Sequence, residues 1–437
     1  RNVSYGRRSR IVVRFGRDTA SGDVKAVRKH RPDYQIVLFM GLLMLLGLIV
    51  IYAIGPQRAH VLNLSYGSDY SDSYFFIRQS ISLALAVGIF LVMTRIPYTF
   101  IEKYSKHIFI AGITACLLLA IAGWTHMGIA QCSLGACRWF NLGPLGSVQP
   151  AELLKFGLLI FSAVFISMRA KLGLINDMYK TLIPLGAMLG IVAIFIIGIQ
   201  KDMGTGIAMV AIIASMLLVA GLKVRVGLAL VGVALLMGML LIIVAPHRMD
   251  RITTFLAGDS SSSTDAGAYH IEQAKTAIGS GGWSGVGIGN SVQATGYLPE
   301  AINDSVFAIM GEMFGFIGLI VVLIVFCGLF MRLLLTSDRL QGMTEKLIVV
   351  GVFGWLGAHV VLNIAAMTAV FPLTGITLPF LSFGGTSMIF IAGALGLAFQ
   401  LSSYTMHTIN QEGDDYENSR SRRGVGRTRY SGRSSNR

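Results

Sequence analysis

Apolar runs of about twenty residues recur along this chain and restrict its fold more than any other feature. An α-helix rises about 1.5 Å per residue, so a run of that length crosses the hydrocarbon core of a bilayer, which is about 30 Å thick. Charged residues form only 13% of the 437 residues, whereas soluble domains carry about 25%. The sequence therefore predicts an all-α polytopic membrane protein.

About ten of these runs are long enough to span a membrane as helices. An even number of spans returns both ends of the chain to the same side of the membrane. The predicted membrane domain covers residues 35–405, and its spans are 35–54, 74–95, 107–125, 150–168, 182–200, 204–221, 225–245, 304–331, 347–370 and 383–405.

The two ends of the chain are polar and rich in basic residues. Residues 1–34 and 406–437 lack apolar periodicity and are predicted to be disordered tails. Because Lys and Arg are enriched in cytoplasmic segments of membrane proteins, both tails are predicted to be cytoplasmic. A net charge of +14 can also indicate nucleic-acid binding. Here the charge lies in tails and short loops, so no nucleic-acid partner is predicted.

The longest connection between predicted spans is residues 246–303, between the seventh and eighth helices. The predicted topology makes this loop extracytoplasmic, and loops of such length are usually functional or disordered. Its segment GVGIGN at 285–290 resembles a nucleotide-binding loop. No strand precedes the segment, so that interpretation is rejected.

Carboxylates stand at helical spacing where this loop meets the eighth span. Pro299 is predicted to be the first residue of that helix, since proline lacks the amide that would be unsatisfied there. Glu300 and Asp304 would then share one helix face, with Glu312 further along. Ionisable residues at a membrane boundary are costly and indicate a functional site. The alternative is that they only complement the positive N-terminus of the helix.

A second charged group precedes the fourth span. Glu152 and Lys155 are three residues apart, so they share a helix face and can pair, which lowers the cost of burying either. The pair is either part of a site or purely structural. Arg138 is a candidate phosphate ligand, because its planar guanidinium suits phosphate oxygens. The alternative for Arg138 is an interfacial position beside Trp139.

Basic residues are scarce on the predicted extracytoplasmic side, so those in the long loop are noteworthy. Arg248, Arg251 and Lys275 are candidates for binding an anionic head group. The alternative is that they are solvated loop charges. Cys132 and Cys137 lie in another extracytoplasmic loop, where a disulfide can persist, and they are predicted to form one.

Other polar positions are predicted to be structural. Asp202 is predicted to cap the following helix, and His359 and Asn363 to make hydrogen bonds between helices. Residues 371–388 contain several Pro and Gly residues, which indicates a re-entrant or broken segment. The sequence shows no cluster with metal-ligand spacing, so no metal ligands are predicted.

Taken together, six segments resemble, in order, the motifs of the SEDS family of proteins for shape, elongation, division and sporulation. The resemblance covers nearly all of residues 35–405 and implies the ten-helix SEDS fold. The segments are RWFNLGPLGSVQPAELLK at 138–155, QKDMGTG at 200–206, HRMDRITTFL at 247–256, AIGSGGWSGVGIGNSVQ at 277–293, YLPEAINDSVFAIMGEMFG at 297–315 and FPLTGITLPFLSFGGTSM at 371–388.

The resemblance implies a peptidoglycan glycosyltransferase that polymerises lipid II at the outer face of the cytoplasmic membrane. The YLPE and GNSVQ forms and the long tails favour the division member over the elongation member, and therefore a role at the septum. The family's essential aspartate maps onto Asp304, and its paired acid and lysine map onto Glu152 and Lys155. A class B penicillin-binding protein and other divisome proteins are the implied partners.

This chain departs from the family pattern next to Asp304. The family most often has His-Thr before the aspartate and Phe-Ile-Phe after it, and it has Gly-Glu-Glu further on. The corresponding residues here are Ile302 and Asn303, then Ser305, Val306 and Phe307, and later Gly311, Glu312 and Met313. These differences bear on substrate fit, whereas the acid itself is retained.

Joining two lipid-linked disaccharides requires a base for the acceptor hydroxyl and charge stabilisation for the departing diphosphate. Asp304 is the predicted base, with Glu300 as a like charge that adjusts its basicity. The diphosphate would be held by basic residues, with a divalent cation (Mg or Mn) as a candidate cofactor. The basic candidates are Arg138, Arg248, Arg251 and Lys275.

Three other functions are compatible with the residues. A transporter could flip the lipid-linked precursor, with Glu152 and Lys155 lining its pathway, although internal symmetry typical of transporters is not evident. The polymerase could serve elongation and not division. A non-catalytic scaffold could recruit partners through its tails and outer loops.

Overall fold

The computed structural model describes residues 31–404 except 134–135, 142, 144–145, 231 and 233–265. Both predicted tails lie almost wholly outside the described residues. The same is true of most of the predicted seventh span and of Arg248 and Arg251.

Long apolar helices dominate the described residues, as predicted. Eight of them are long and apolar enough to span a membrane, and a shorter apolar helix, α7, accompanies them. The helices are α1 (Tyr34–Tyr66), α2 (Tyr74–Arg95), α3 (Tyr98–Lys103), α4 (Ser105–Trp124), α5 (Pro150–Lys171), α6 (Met178–Ile199), α7 (Met203–Val219), α8 (Ala266–Ser280), α9 (Val306–Arg339), α10 (Met343–Met367) and α11 (Gly385–Ser402).

Where the structure describes them, the predicted spans agree with these helices to within a few residues except at the C-terminal ends of α1 and α9. The predicted eighth span ends at residue 331, whereas α9 continues to Arg339. The apolar run predicted an end at residue 54, but α1 continues through Pro56 to Tyr66 and ends at Gly67, whose φ is 62°. Apolarity marks where the bilayer ends, whereas a helix ends where its backbone is capped. At its other end, Asp33 caps α1, accepts a 2.8 Å hydrogen bond from Arg332 Nε and donates its amide to Ser402 Oγ.

The helices pack around α5, α10 and α11. In each of these three, 67% of the most apolar stretch is buried inside the protein, against 22% for α6. Helix α5 packs against α4, α10 packs against α7 and α9, and α11 packs against α2. Glu152 and Lys155 of α5 and His359 and Asn363 of α10 are accordingly enclosed by protein.

Helix α9 is interrupted at Gly315, where φ is 67° and ψ is −169°. The glycine-rich segment 281–287 follows α8 and hydrogen-bonds to this break: the Val286 amide donates to Glu312 O at 2.9 Å, and the Phe316 amide donates to Gly282 O at 2.8 Å. A Cβ at Gly285 would clash with the backbone at Met313. The glycines therefore allow the loop backbone to lie directly on the broken helix.

A small antiparallel sheet, which the all-helical prediction did not include, lies between α4 and α5. Its strands are β1 (Ala130–Ser133), β2 (Ala136–Asn141) and β3 (Ser147–Val148), in the order β1-β2-β3. Cys132 and Cys137 are paired opposite each other in β1 and β2 and form a disulfide. A Cβ at Gly123 would meet Cys137, so glycine in the last turn of α4 allows the sheet to pack there.

Candidate active site

Asp304 lies in a run of tight turns, residues 299–305, that joins the long loop to α9. The prediction of a helix from Pro299 is wrong, because α9 begins at Val306. Glu300 has a φ of 50°, in the left-handed region that helices exclude. The Asn303 and Ser305 amides both donate to Glu300 O, at 2.9 and 3.3 Å. Local bonds of this kind compete with helix formation.

The two acids of this turn therefore do not share a helix face. The Glu300 carboxylate accepts a hydrogen bond from Asn303 Nδ2 and lies 3.9 Å from Arg58 of α1. Half of the Glu300 side chain is exposed. The role of Glu300 beside Asp304 stays a prediction.

Asp304 is partly buried and is held through its main chain. Asn363 Nδ2, from α10, donates at 2.7 Å to Asp304 O and at 2.7 Å to Ile376 O. The Phe383 amide donates at 2.7 Å to Ile302 O. The turn is thus bound to the segment between α10 and α11, and it directly precedes the N-terminus of α9, which favours a negative charge.

That segment, residues 371–384, has no regular secondary structure, in agreement with the predicted broken segment, and its part from 378 to 382 is buried. Phe380, Leu381 and Ser382 are all enclosed. Ser382 Oγ accepts a hydrogen bond from the Leu378 amide at 2.8 Å, and Ser382 O accepts one from Gln79 Nε2 at 3.3 Å. Irregular backbone at this depth requires such internal partners.

Glu152 and Lys155 form an ion pair inside the helical domain, as their spacing predicted. Glu152 Oε1 lies 2.8 Å from Lys155 Nζ, and their side chains are 3% and 1% exposed. Lys155 Nζ also lies 3.2 Å from His359 Nε2, which accepts a further hydrogen bond from Trp355 Nε1. His359 Nδ1 lies 3.3 Å from Thr377 O. These partners assign the proton to Nδ1 and leave Nε2 as the acceptor.

His359 and Asn363 join the two polar clusters. They are four residues apart on α10, so they lie about 6 Å apart along its axis on the same face. One binds Lys155 and the other binds the Asp304 main chain. The sequence predicted only hydrogen bonds between helices for this pair, and it missed the contacts with loop carbonyls. The sequence feature that pointed to these contacts was a polar pair at helical spacing in an apolar span.

A second contact of the turn comes from α8 and was not predicted. His270 Nε2 lies 2.6 Å from Ser305 Oγ, and Ser305 Oγ donates to Pro299 O at 2.8 Å. Burial lowers the pKa of His270, and the negative charge of Glu300 partly opposes that shift. The only sequence signal was the unusual hydroxyl residue directly after Asp304.

The Glu312 carboxylate binds residues 291–293 of the long loop and not the Asp304 turn. Its buried carboxylate accepts hydrogen bonds from Ser291 Oγ at 2.5 Å and from the Val292 amide at 2.9 Å, and also from the Gln293 amide.

Asp202 caps α7 as predicted, since it accepts a hydrogen bond from the Thr205 amide at 2.9 Å.

Two of the four predicted diphosphate ligands, Arg138 and Lys275, lie within the described residues. Arg138 donates from Nε to Gln200 O and from Nη2 to Lys201 O, both at 3.0 Å, so two of its donors are engaged by the turn before α7. Lys275 is exposed on α8, five residues after His270. Within the described part of the chain, no group of three or more His, Cys, Asp or Glu residues is placed to hold a metal ion. The diphosphate ligands and the divalent cation remain predictions.

Comparison with known sequences identifies relatives over almost the whole membrane domain. Residues 34–407 match the profile of the FtsW, RodA and SpoVE family, described as cell cycle protein. The chain is 30% identical over 400 residues to a probable peptidoglycan glycosyltransferase FtsW of Nitrosomonas europaea, covering 90% of this chain and 96% of that protein. It is 32% identical over 386 residues to stage V sporulation protein E of Bacillus subtilis, covering 87% and 99%.

Solved structures share the architecture. A chain from a study titled "Structural coordination of polymerization and crosslinking by a peptidoglycan synthase complex" matches with a TM-score of 0.66 at 24% identity, covering 85% of this chain and 97% of that chain. The rod shape determining protein RodA of Thermus thermophilus matches with a TM-score of 0.57 at 21% identity, covering 86% and 98%. These likenesses confirm the predicted all-α polytopic fold.

Proposed function

The chain belongs to the FtsW, RodA and SpoVE family of cell cycle proteins, and from that premise we propose that it is a peptidoglycan glycosyltransferase. Its reaction is the polymerisation of lipid II into glycan strands at the outer face of the cytoplasmic membrane, in septal cell-wall synthesis. The names of similar proteins support this function, since several relatives at about 30% identity are called probable peptidoglycan glycosyltransferase FtsW.

The observation that carries the proposal is the placement of Asp304. Its main chain is held by Asn363, which also binds the carbonyl of buried Ile376 in segment 371–384. A general base acts efficiently only when its position is fixed relative to the reacting hydroxyl. The hydrogen bond to its carbonyl supports this role for Asp304, which stands where the loop enters the apolar helix α9.

In the proposed reaction, Asp304 accepts the proton of the acceptor sugar hydroxyl. The hydroxyl oxygen then forms a bond to the anomeric carbon of the donor, and the bond from that carbon to the diphosphate oxygen breaks. The lipid diphosphate leaves with the bonding electrons. Its negative charge requires cations, for which Lys275, Arg138, Arg248 and Arg251 are the candidate residues. A divalent cation would supply the same stabilisation.

A lipid-linked substrate explains the position of this turn. Both substrates carry polyprenyl chains, which stay in the bilayer while the sugars react at its surface. The protein is a multi-pass membrane protein. The basic tails support an orientation with both ends in the cytoplasm and the Asp304 turn on the outer face.

A crosslinking enzyme is the proposed partner, specifically a class B penicillin-binding protein, together with other divisome proteins. New glycan strands become part of the wall only after their peptides are crosslinked. A structural neighbour belongs to a complex whose title joins polymerisation with crosslinking, which supports a partner of this kind.

The transporter alternative is less well supported by the geometry. It assigned Glu152 and Lys155 to a pathway, but both side chains are almost fully enclosed and pair with each other. The pair lies within α5, and its lysine contacts His359 of α10 at 3.2 Å. It does not present a charge to a passing head group.

The test is glycan-strand formation from purified lipid II by this protein together with its penicillin-binding partner. We expect polymer from the native protein and a loss of about 10²- to 10⁴-fold for Asp304→Asn, which is the usual contribution of a general base. Asp338→Asn, an exposed acid paired with Lys346, is the matched control and should be unchanged.

Equal polymer from the native protein and Asp304→Asn would exclude Asp304 as the base. If the native protein makes no polymer but moves lipid II across liposome membranes, the transporter is favoured. If it does neither and still binds its partner, the scaffold is favoured.

A further inference from the structure

We propose that His270 is a positioning residue for Asp304 and that it acts through the hydroxyl of Ser305. The inference rests on the proposed glycosyltransferase function, because it assigns His270 a role in that reaction. It concerns a pair of residues, one in α8 and one in the turn, that the family resemblance did not assign.

The hydrogen-bond directions fix the arrangement. Ser305 Oγ carries one hydrogen, which it donates to Pro299 O at 2.8 Å. The 2.6 Å contact with His270 Nε2 therefore requires the imidazole to donate and the hydroxyl oxygen to accept. His270 thus holds Ser305, and Ser305 closes the turn onto Pro299 on the side of α8.

The turn is held from two sides. Asn363 of α10 binds the carbonyl of Asp304, and His270 of α8 binds the side chain of the next residue. Within the turn, the Ser305 amide donates to Glu300 O at 3.3 Å and the Ser305 hydroxyl donates to Pro299 O. Asp304 lies in sequence next to the residue that His270 holds, and its own carbonyl is held by Asn363, so a change at either contact acts directly on its position.

The contact between His270 and Ser305 is buried, so its loss is costly. Ser305 is fully enclosed and His270 is 8% exposed, so water cannot readily replace a lost partner. Helix α8 is itself fixed, since Ala274 and Ala277 are completely buried and the following segment 281–287 is bound to the break in α9. The imidazole is therefore presented from a rigid element.

The pair coincides with this chain's departure from the usual motif. Where the family most often has histidine two residues before the aspartate, Ile302 is buried here among apolar side chains. Where it has phenylalanine directly after the aspartate, Ser305 supplies a hydroxyl. In this chain, the imidazole beside the aspartate turn belongs to His270 of α8 and reaches the turn through Ser305.

The experiment measures polymerisation by the full-length protein with its partner as a function of lipid II concentration. His270→Leu removes the donor and is expected to lower kcat about 10- to 100-fold, because a small displacement of a catalytic group is that costly. KM should change less than about threefold, since His270 does not touch substrate. His270→Gln keeps a donor at a similar reach and should retain kcat within about threefold.

Ser305→Ala removes this contact and also the bond to Pro299 O, so its loss should be at least as large as that of His270→Leu. The double variant His270→Leu/Ser305→Ala should be no worse than Ser305→Ala alone, because the contact with His270 is already absent there. Thr276→Ala, on the exposed face of α8, is the matched control. Additive losses in the double variant, or a His270→Leu variant as active as the native protein, would overturn the proposal.

Amide hydrogen exchange provides a readout that does not depend on the reaction. Exchange in peptides covering residues 298–308 should increase in His270→Leu and stay native-like in His270→Gln, while α5 is unchanged. Unchanged exchange in His270→Leu would overturn the inference even if the protein proves not to polymerise lipid II. Increased exchange without any native polymerisation would instead keep the contact and reject the proposed function.

Discussion

Two polar clusters lie one helical turn apart on α10, and they hold their charges in different ways. At His359, the Glu152 and Lys155 side chains are enclosed and neutralise each other at 2.8 Å. At Asn363, the protein binds the carbonyl of Asp304, and the residue stays partly exposed. An enclosed charge is stabilised by its partner, whereas a carboxylate that is to react is positioned through its backbone.

The cost of enclosing an unpaired charge explains why the two clusters hold their charges differently. An ion enclosed without its partner costs several kcal/mol, so the first cluster must remain complete for the fold to be stable. The bond from Asn363 to Asp304 O acts on the position of the turn and does not involve the carboxylate. The comparison predicts that substitutions in the first cluster mainly affect stability and substitutions around the turn mainly affect activity.

The largest effect is expected for Lys155→Met. It leaves the Glu152 carboxylate enclosed without its cation, which should lower the free energy of unfolding by about 3–5 kcal/mol. Thermal unfolding in detergent measures the change. The double variant Glu152→Gln/Lys155→Met removes both charges and should recover more than half of the loss. A double variant as unstable as the single one would show that charge pairing is not the cause.

Asn363→Leu tests the other cluster. It leaves the carbonyls of Asp304 and Ile376 without their donor, and should cost about 2 kcal/mol in stability. The displaced turn should lower polymerisation more than about tenfold. Asn176→Leu is the control, since Asn176 also bridges two backbone groups, Gly221 O and the Lys223 amide. Equal losses of activity in both variants would remove the distinction between the clusters.

A smaller effect concerns pH. Because burial lowers the pKa of His270 below the usual value of about 6.5, the unfolded chain binds this proton at a higher pH than the folded protein does. The stability contribution of neutral His270 is then complete above pH about 6.5 and is lost as the pH falls toward the pKa of the folded state. The native protein should lose thermal stability below pH about 6.5 relative to His270→Gln. A pH-independent difference would contradict this.

The smallest effect on stability is expected for Glu300→Gln. Its contact with Arg58 is long and half exposed, so the free energy of unfolding should change by less than about 0.5 kcal/mol. If Glu300 acts as a like charge on Asp304, polymerisation should fall about two- to fivefold, because Asp304 becomes a weaker base. A marked loss of stability would show that Glu300 supports the turn instead.

The spans could be predicted from the sequence because bilayer thickness imposes a minimum length on every apolar helix. The ends of helices were less predictable. Pro299 carries a local signal for a helix start, yet Glu300 adopts a left-handed conformation and α9 begins at Val306. The bonds that fix this turn come from residues far along the chain, and no local pattern encodes them.

In the candidate site, contacts within one helix were predictable and contacts between distant parts of the chain were not. Spacing alone indicated that Glu152 and Lys155 could pair, since both lie in one helix. The contacts of Asn363 with Asp304 O and of His270 with Ser305 join residues 59 and 35 positions apart. Arg138 shows the converse: its guanidinium suits phosphate, but here it binds backbone carbonyls. Residue type indicates what a side chain can bind, and only the fold determines which partner it meets.

Helix α1 is longer than a membrane span requires. Its 33 residues extend about 50 Å, well beyond a hydrocarbon core of about 30 Å. One end is fastened at Asp33 to Arg332 and Ser402, and near the other end Gln57 and Arg58 contact the loop that leads to Asp304. A continuous helix therefore fixes the separation between the contact with Arg332 and the loop that leads to Asp304.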